Sequence, residues 1–173
     1  MKKYKYIILL LLNILLLGCI PDKFTENLPN KNIELKKYLG TWYEIARIPN
    51  WFEKNLVGVT ATYSIKENGN IKVLNQGYKN QLNGELKKAI GEAWIPDKNK
   101  TGRLKVSFFG PFSADYIIIE IDKNYQYALV GSGKDFLWVL SRTPNLESNI
   151  YENLLNKAKL LGYDISKLKI VLQ

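Results

Sequence analysis

The chain has 173 residues, with 25 Lys and Arg against 16 Asp and Glu, for a formal charge of +9. It has no histidine, which removes the commonest general base and the commonest metal ligand. Its one cysteine, Cys19, excludes a disulfide framework and zinc sites of the Cys/His kind.

The N-terminus carries Lys2, Lys3 and Lys5 and then an apolar run over residues 6–17. This is the charged and then apolar layout of an export signal. About twelve helical residues span roughly 18 Å, short of the ~30 Å hydrocarbon core of a bilayer. The run ends in Leu16-Leu17-Gly18-Cys19, which resembles the lipobox of bacterial lipoproteins. That resemblance implies cleavage after Gly18, lipid on the Cys19 sulfur, and a further acyl chain such as palmitate on the new amine. Two or more chains anchor stably where one is marginal. Ile20, and not Asp, follows the cysteine. By resemblance to the enterobacterial sorting pattern, this favours the outer membrane, at its periplasmic face. Without the signal, 22 Lys and Arg face 16 Asp and Glu, a charge of +6. This suits anionic lipid, although plain solubility accounts for most of the lysines. No Lys/Arg run with interleaved aromatics points to nucleic acid.

Residues 19–34 contain prolines and asparagines and little periodicity, and read as a lipidated N-terminus and tether. The domain is placed at residues 35–173. Its β-branched and aromatic residues, with turn signals every eight to twelve positions, predict an all-β barrel or sandwich. Strands are expected over residues 42–47, 57–66, 71–78, 85–95, 103–108, 116–122, 125–130 and 136–142. Short connections, with an Asn68-Gly69 hairpin signal, favour an antiparallel up-and-down meander. In the second strand Val57, Val59, Ala61, Tyr63 and Ile65 are expected on one face. In the eighth, Phe136, Trp138, Leu140 and Arg142 share a face, and Leu137 and Val139 need a cover on the other. Ile150, Leu154, Leu155, Ala158 and Leu161 recur at helical spacing and predict a helix over residues 148–161 that supplies it. A last strand is expected over residues 167–172.

Gly40-Thr41-Trp42-Tyr43-Glu44-Ile45-Ala46-Arg47 resembles the first signature of the lipocalins, Gly-x-Trp at the start of strand one. Residues 57–64 (VGVTATYS), 105–112 (KVSFFGPF) and 137–144 (LWVLSRTP, with Arg142) resemble later stretches of bacterial lipocalins, in the same order. With the lipobox, the precursor resembles outer-membrane lipoprotein lipocalins of the Blc type. The resemblance implies an eight-stranded up-and-down antiparallel lipocalin barrel, a C-terminal helix packed outside and a short final strand. It implies a barrel-closing role for Gly40, Trp42 and Arg142, with the guanidinium on the indole face. It implies lysophospholipid or fatty acid as ligand, and membrane attachment through lipidated Cys19. It also admits a homodimer, which no residue pattern here assigns.

An eight-stranded barrel holds one small guest, and the inward sets are large, apolar and aromatic. Tyr63, Tyr78, Phe108, Tyr116 and Trp138 are the candidate pocket wall. No catalytic residues, metal ligands or cofactor are assigned, and the protein is expected not to be an enzyme. A tetrapyrrole or a hydrophobic signal remains an alternative guest, and a lipocalin-fold enzyme acting on its bound guest is the lesser alternative. Glu120 faces inward by parity with Tyr116 and Ile118, unless a bulge turns it out. Ser113 follows Gly-Pro-Phe, where an aromatic is common in similar chains, so the mouth is expected to be wider. The loop of residues 50–56 carries Trp51 and Phe52 as a candidate lip against membrane or ligand.

Overall fold

The computed structural model describes residues 23–173, so the signal segment and Cys19 lie outside the described residues. Two short helices come first, α1 (Lys23–Asn27) and α2 (Leu35–Tyr38). Eight strands follow: β1 (Gly40–Arg47), β2 (Leu56–Ile65), β3 (Ile71–Lys79), β4 (Leu86–Trp94), β5 (Arg103–Phe109), β6 (Phe112–Ile121), β7 (Tyr127–Ser132) and β8 (Phe136–Ser141). A helix, α3 (Ser148–Leu160), a 3₁₀ turn (Ile165–Lys167) and a two-residue strand, β9 (Lys169–Ile170), complete the chain.

Each strand pairs antiparallel with the next, and β1 pairs with both β2 and β8, which closes an up-and-down barrel. The first half of β1, Gly40–Tyr43, bonds to β2. Its last two residues, Ala46 and Arg47, bond to β9 on the edge that β2 has left. The β1–β2, β3–β4, β5–β6 and β7–β8 connections share one end, the mouth. The other three turns share the opposite end with α2.

Two apolar layers hold the molecule. Inside, Trp42, Tyr63, Ile71, Val73, Ala93, Leu104, Ile118, Ala128, Val130 and Leu140 form one buried cluster. Outside, Ile117, Ile119, Leu129, Leu137 and Val139 pack against Leu154 and Ala158 of α3. The strands β6 to β8 are apolar on both faces because they lie between these two layers.

Four bulges break strict alternation, one of them in β5 between Val106 and Phe109. In β2 the register slips between Val57 and Thr60, at Gly58, whose φ of 57° suits a residue without Cβ. Val57 therefore pairs with Tyr78 and stands on the face opposite Val59, which corrects the single-face expectation. In β6 the slip lies between Ile118 and Glu120. Ile119 and Glu120 both turn outward, so parity fails there. Glu120 pairs with Lys157 of α3, and its Oε1 lies 3.5 Å from Lys31 Nζ. In β1 the slip lies between Glu44 and Ala46. Ile45 and Ala46 both join the outer layer, and Glu44 and Arg47 both face the interior.

Residues 23–34, read above as part of a tether, are packed on the barrel. Leu28 is 4 % exposed in the outer layer, and Ile33 is 7 % exposed in the inner one. The final strand is shorter than expected because the 3₁₀ turn occupies residues 165–167.

Candidate functional site

The closed end is built from α2 and the start of β1. Tyr38 lies on Trp42 with ring centroids 5.0 Å apart, and the Trp42 indole donates to the Tyr38 carbonyl at 2.8 Å. The Arg142 guanidinium sits 3.8 Å from the Trp42 ring centroid, a cation–π contact. It also donates to the carbonyls of Lys37, Tyr38, Leu39 and Thr41 at 2.8–3.2 Å, and its Nε donates to Tyr125 in the β6–β7 turn. These carbonyls include the unpaired C-terminal ones of α2, which a cation satisfies well. Gly40 has a φ of 92° and lies against Arg142.

Above this plug, three hydroxyls meet. Tyr116 Oη is 2.6 Å from Tyr38 Oη and 2.8 Å from Tyr63 Oη. Burial pushes the pKa of all three phenols up, so they stay neutral and serve only as hydrogen-bonding groups. The layer seals the floor of the interior. Higher up, Ala61, Val106, Phe108 and Trp138 pack against the inner cluster while remaining partly exposed, although they point inward. Asn75 shares the face of Ile71 and Val73, and its buried Oδ1 has no hydrogen-bond partner among the described residues.

Of the five wall residues predicted from sequence, the structure brings Tyr63, Phe108, Tyr116 and Trp138 to the interior. Tyr78 does not join them. It is out of phase with Ile71 and Val73 on a strand without a bulge, and stands with Leu82 beside Gly58.

The mouth holds a buried polar cluster that alternation did not reveal. Glu44, Arg47 and Glu53 are 4 %, 8 % and 6 % exposed. Arg47 Nη1 donates to Glu44 Oε1 at 2.5 Å, and Nη2 donates to the carbonyls of Glu53 and Leu56 at 2.8 and 3.0 Å. Glu53 Oε2 accepts from Trp138 Nε1 at 3.1 Å and from the Asn50 side-chain amide. Burial, and next the Glu53 carboxylate, push the Glu44 carboxyl well above the usual range, against the pull of Arg47. The cluster binds the β1–β2 loop to the barrel wall. A run of Glu and Arg in a strand that starts Gly-x-Trp carries a signal for it only if the bulge is known.

From Trp138 a stack of rings climbs to the surface. Phe136 lies 6.0 Å from Trp138, Phe52 lies 5.9 Å from Phe136, and Trp51 meets Phe52 edge-on at 5.5 Å. Trp51 is 78 % exposed at the end of this stack. Across the mouth, Phe109 and Phe112 of the β5–β6 hairpin are exposed, as is Leu82 of the β3–β4 loop. Ser113 follows them, exposed. Lys72, Ile90, Glu92, Trp94 and Ser107, together with Phe108, border a groove of about 900 Å³. It lies where β4, paired to β5 only through Glu92, Ala93 and Trp94, leaves its neighbour.

Residues 33–173 match the lipocalin-like domain family. The chain is 43 % identical to outer membrane lipoprotein Blc of Vibrio cholerae over 171 residues, covering 96 % of this chain and 98 % of that one. It is 44 % identical to outer membrane lipoprotein Blc of Escherichia coli K12, covering 79 % and 77 %. It is 40 % identical to temperature-induced lipocalin-1 of Arabidopsis thaliana, covering 80 % and 78 %. Among solved structures, insecticyanin of the tobacco hornworm, Manduca sexta, superposes with a TM-score of 0.66 at 23 % identity, covering 83 % and 82 %. That likeness is one of fold.

Proposed function

As the chain belongs to the lipocalin family, we propose that it is a lipid-anchored carrier that holds a single-chain lipid, a lysophospholipid or a fatty acid, in its barrel. The observation that carries this reading is the set Ala61, Val106, Phe108 and Trp138, inward-facing yet partly exposed above a sealed floor. An acyl chain fits such a surface. Burial of about a dozen methylenes is worth roughly 10 kcal/mol at ~0.8 kcal/mol each, before the costs of association. Its polar head would remain at the mouth. Tyr63 and Tyr116 would form the floor under the chain, and Phe108 and Trp138 its sides.

The address is proposed from two lines of support. The Leu16-Leu17-Gly18-Cys19 motif marks lipidation, and relatives that match most of the chain are named outer membrane lipoproteins. The periplasmic face of the outer membrane suits a carrier that shuttles or scavenges lipid for the envelope. Carriage rather than catalysis fits an interior whose polar groups are neutral phenols, the Asn75 amide and an ion cluster at the mouth.

Residues 20–173, refolded free of lipid, are expected to bind a fluorescent lysophospholipid saturably at one per chain. Val106→Trp, which fills the lumen, should weaken that binding at least tenfold with little change in melting temperature. Wild-type affinity in a folded Val106→Trp protein would reject the interior as the site.

A further inference from the structure

The segment before α2 runs up the outside of the barrel as a strap. It starts at the closed end. The Ile33 amide donates to Thr101 Oγ1 at 2.7 Å, and the Asn32 side chain donates to the Asn99 carbonyl, both in the β4–β5 turn. The Lys31 amide donates to the Ile118 carbonyl at 2.9 Å. The Lys31 carbonyl lies 1.9 Å from where a Cβ on Gly102 would stand, so only glycine lets the strap pass there. Arg103 then grips the strap, donating to the carbonyls of Thr25 and Glu26 at 3.1 Å and to that of Leu28. Phe24 meets Tyr163 edge-on at 5.0 Å. Tyr163 follows α3, and its hydroxyl donates to the Gly133 carbonyl at 3.0 Å, in the β7–β8 turn. That turn belongs to the mouth. The strap thus leads from the closed end to the mouth side.

Only four steps separate Lys23 from Cys19, a reach of about 14 Å. A ten-residue strand such as β2, tilted as barrel strands are, gives a wall of about 25 Å. The leader is shorter than the wall it would have to pass. The mouth itself is apolar and basic. Trp51, Phe109 and Phe112 are 78 %, 74 % and 77 % exposed, and exposed Lys54, Lys79, Lys88 and Lys134 surround them. Against these stand Asp135 and Glu85, and Glu85 is already paired with Lys87. Aromatic side chains among lysines match the interface of an anionic bilayer.

From these features we infer that the strap sets the orientation of the molecule: the anchor leaves on the mouth side, and the aromatic rim rests on the anionic bilayer that holds the anchor. The inference rests on the lipoprotein reading of Cys19. The mouth then opens onto the lipid surface, and the closed end points into the aqueous phase.

The test uses the full lipidated protein in vesicles of phosphatidylcholine and phosphatidylglycerol at about 7:3. With Cys19 acylated, one introduced thiol carries an environment-sensitive dye, in Phe112→Cys at the mouth or Asn99→Cys at the closed end. The Phe112→Cys label is expected to emit to the blue and to be quenched by iodide at least fivefold less than the Asn99→Cys label. Equal quenching, or a shielded Asn99→Cys label, would overturn the inference. About twelve Gly/Ser residues inserted between Asp22 and Lys23 make the leader longer than the wall. They should at least halve the difference between the labels, and an undiminished difference would remove the leader from the account. The lysophospholipid titration reads the carrier separately. Binding with equally quenched labels defeats the orientation alone, and a shielded mouth without binding defeats the carrier alone.

Discussion

Glu44 and Arg47 enter the barrel together because Ile45 and Ala46 take the outside together. Charged groups that lie inside a barrel must satisfy one another, and here the guanidinium pairs with the Glu44 carboxyl and the Glu53 backbone carbonyl, while the Glu53 carboxyl close by accepts from Trp138 and Asn50. The shortage of positive charge falls on Glu44, whose carboxyl holds its proton to higher pH than in the unfolded chain, where the value is ~4.3. The folded state binds more protons above that point, so stability from this group is complete at low pH and falls as pH rises through the folded value. Urea midpoints of wild type and Glu44→Gln should therefore diverge as pH rises above the unfolded value of ~4.3, the wild type losing ground. Parallel profiles would show that Glu44 keeps no raised affinity for its proton. Arg142 presents a different case. It satisfies five carbonyls and an indole face from one planar fork, which an ammonium cannot reproduce. Arg142→Lys is expected to cost about 2 kcal/mol or more in urea unfolding followed by tryptophan emission. Arg142 and Trp42 were legible in the sequence because they sit in regular, motif-bearing positions. Glu44, Arg47 and Glu53 were not, because their inward placement depends on one extra residue in β1 that leaves no mark in the hydrophobic pattern.

The same cause limits what could be read of the strands. On β8 alternation is unbroken and Trp138 falls inside as period-two reading predicts; on β5 it holds as far as Val106, and Phe108 packs on the inner cluster from within the bulge that follows. On β2 and β6 a bulge reverses the phase, so Val57 changes face and Glu120 leaves the interior for Lys157 and Lys31. A one-residue slip moves every later side chain to the other face, and glycine at 58 is the only residue-level hint of either bulge. The helix α3 was legible from its spacing, and its role is packing. Leu154, 3 % exposed against the outer sheet face, should cost about 2–5 kcal/mol on change to Ala. The strap resembles a tether in sequence because its contacts are backbone hydrogen bonds and single anchors rather than a periodic apolar face. Gly102→Ala should unseat it at Lys31. Limited proteolysis would then cut within residues 23–34 well before the barrel, whereas an unchanged pattern would mean the strap adjusts around the new methyl.

At the scale of the molecule, one closed barrel is sealed below by Tyr38, Trp42 and Arg142 and capped outside by α3. Every layer leaves the mouth as the one open end, where neutral phenols, an apolar wall and an aromatic rim follow in sequence from floor to surface. In the proposed orientation the rim is also the part that the strap of residues 23–34 turns toward the anchor. These features fit the proposed container for one acyl chain beside a bilayer. The most direct measurement is native mass spectrometry of the lipidated protein drawn from its own membrane in mild detergent. The account predicts one bound single-chain lipid per chain, lost from Val106→Trp. A barrel empty of lipid, or an adduct that survives in Val106→Trp, would contradict it.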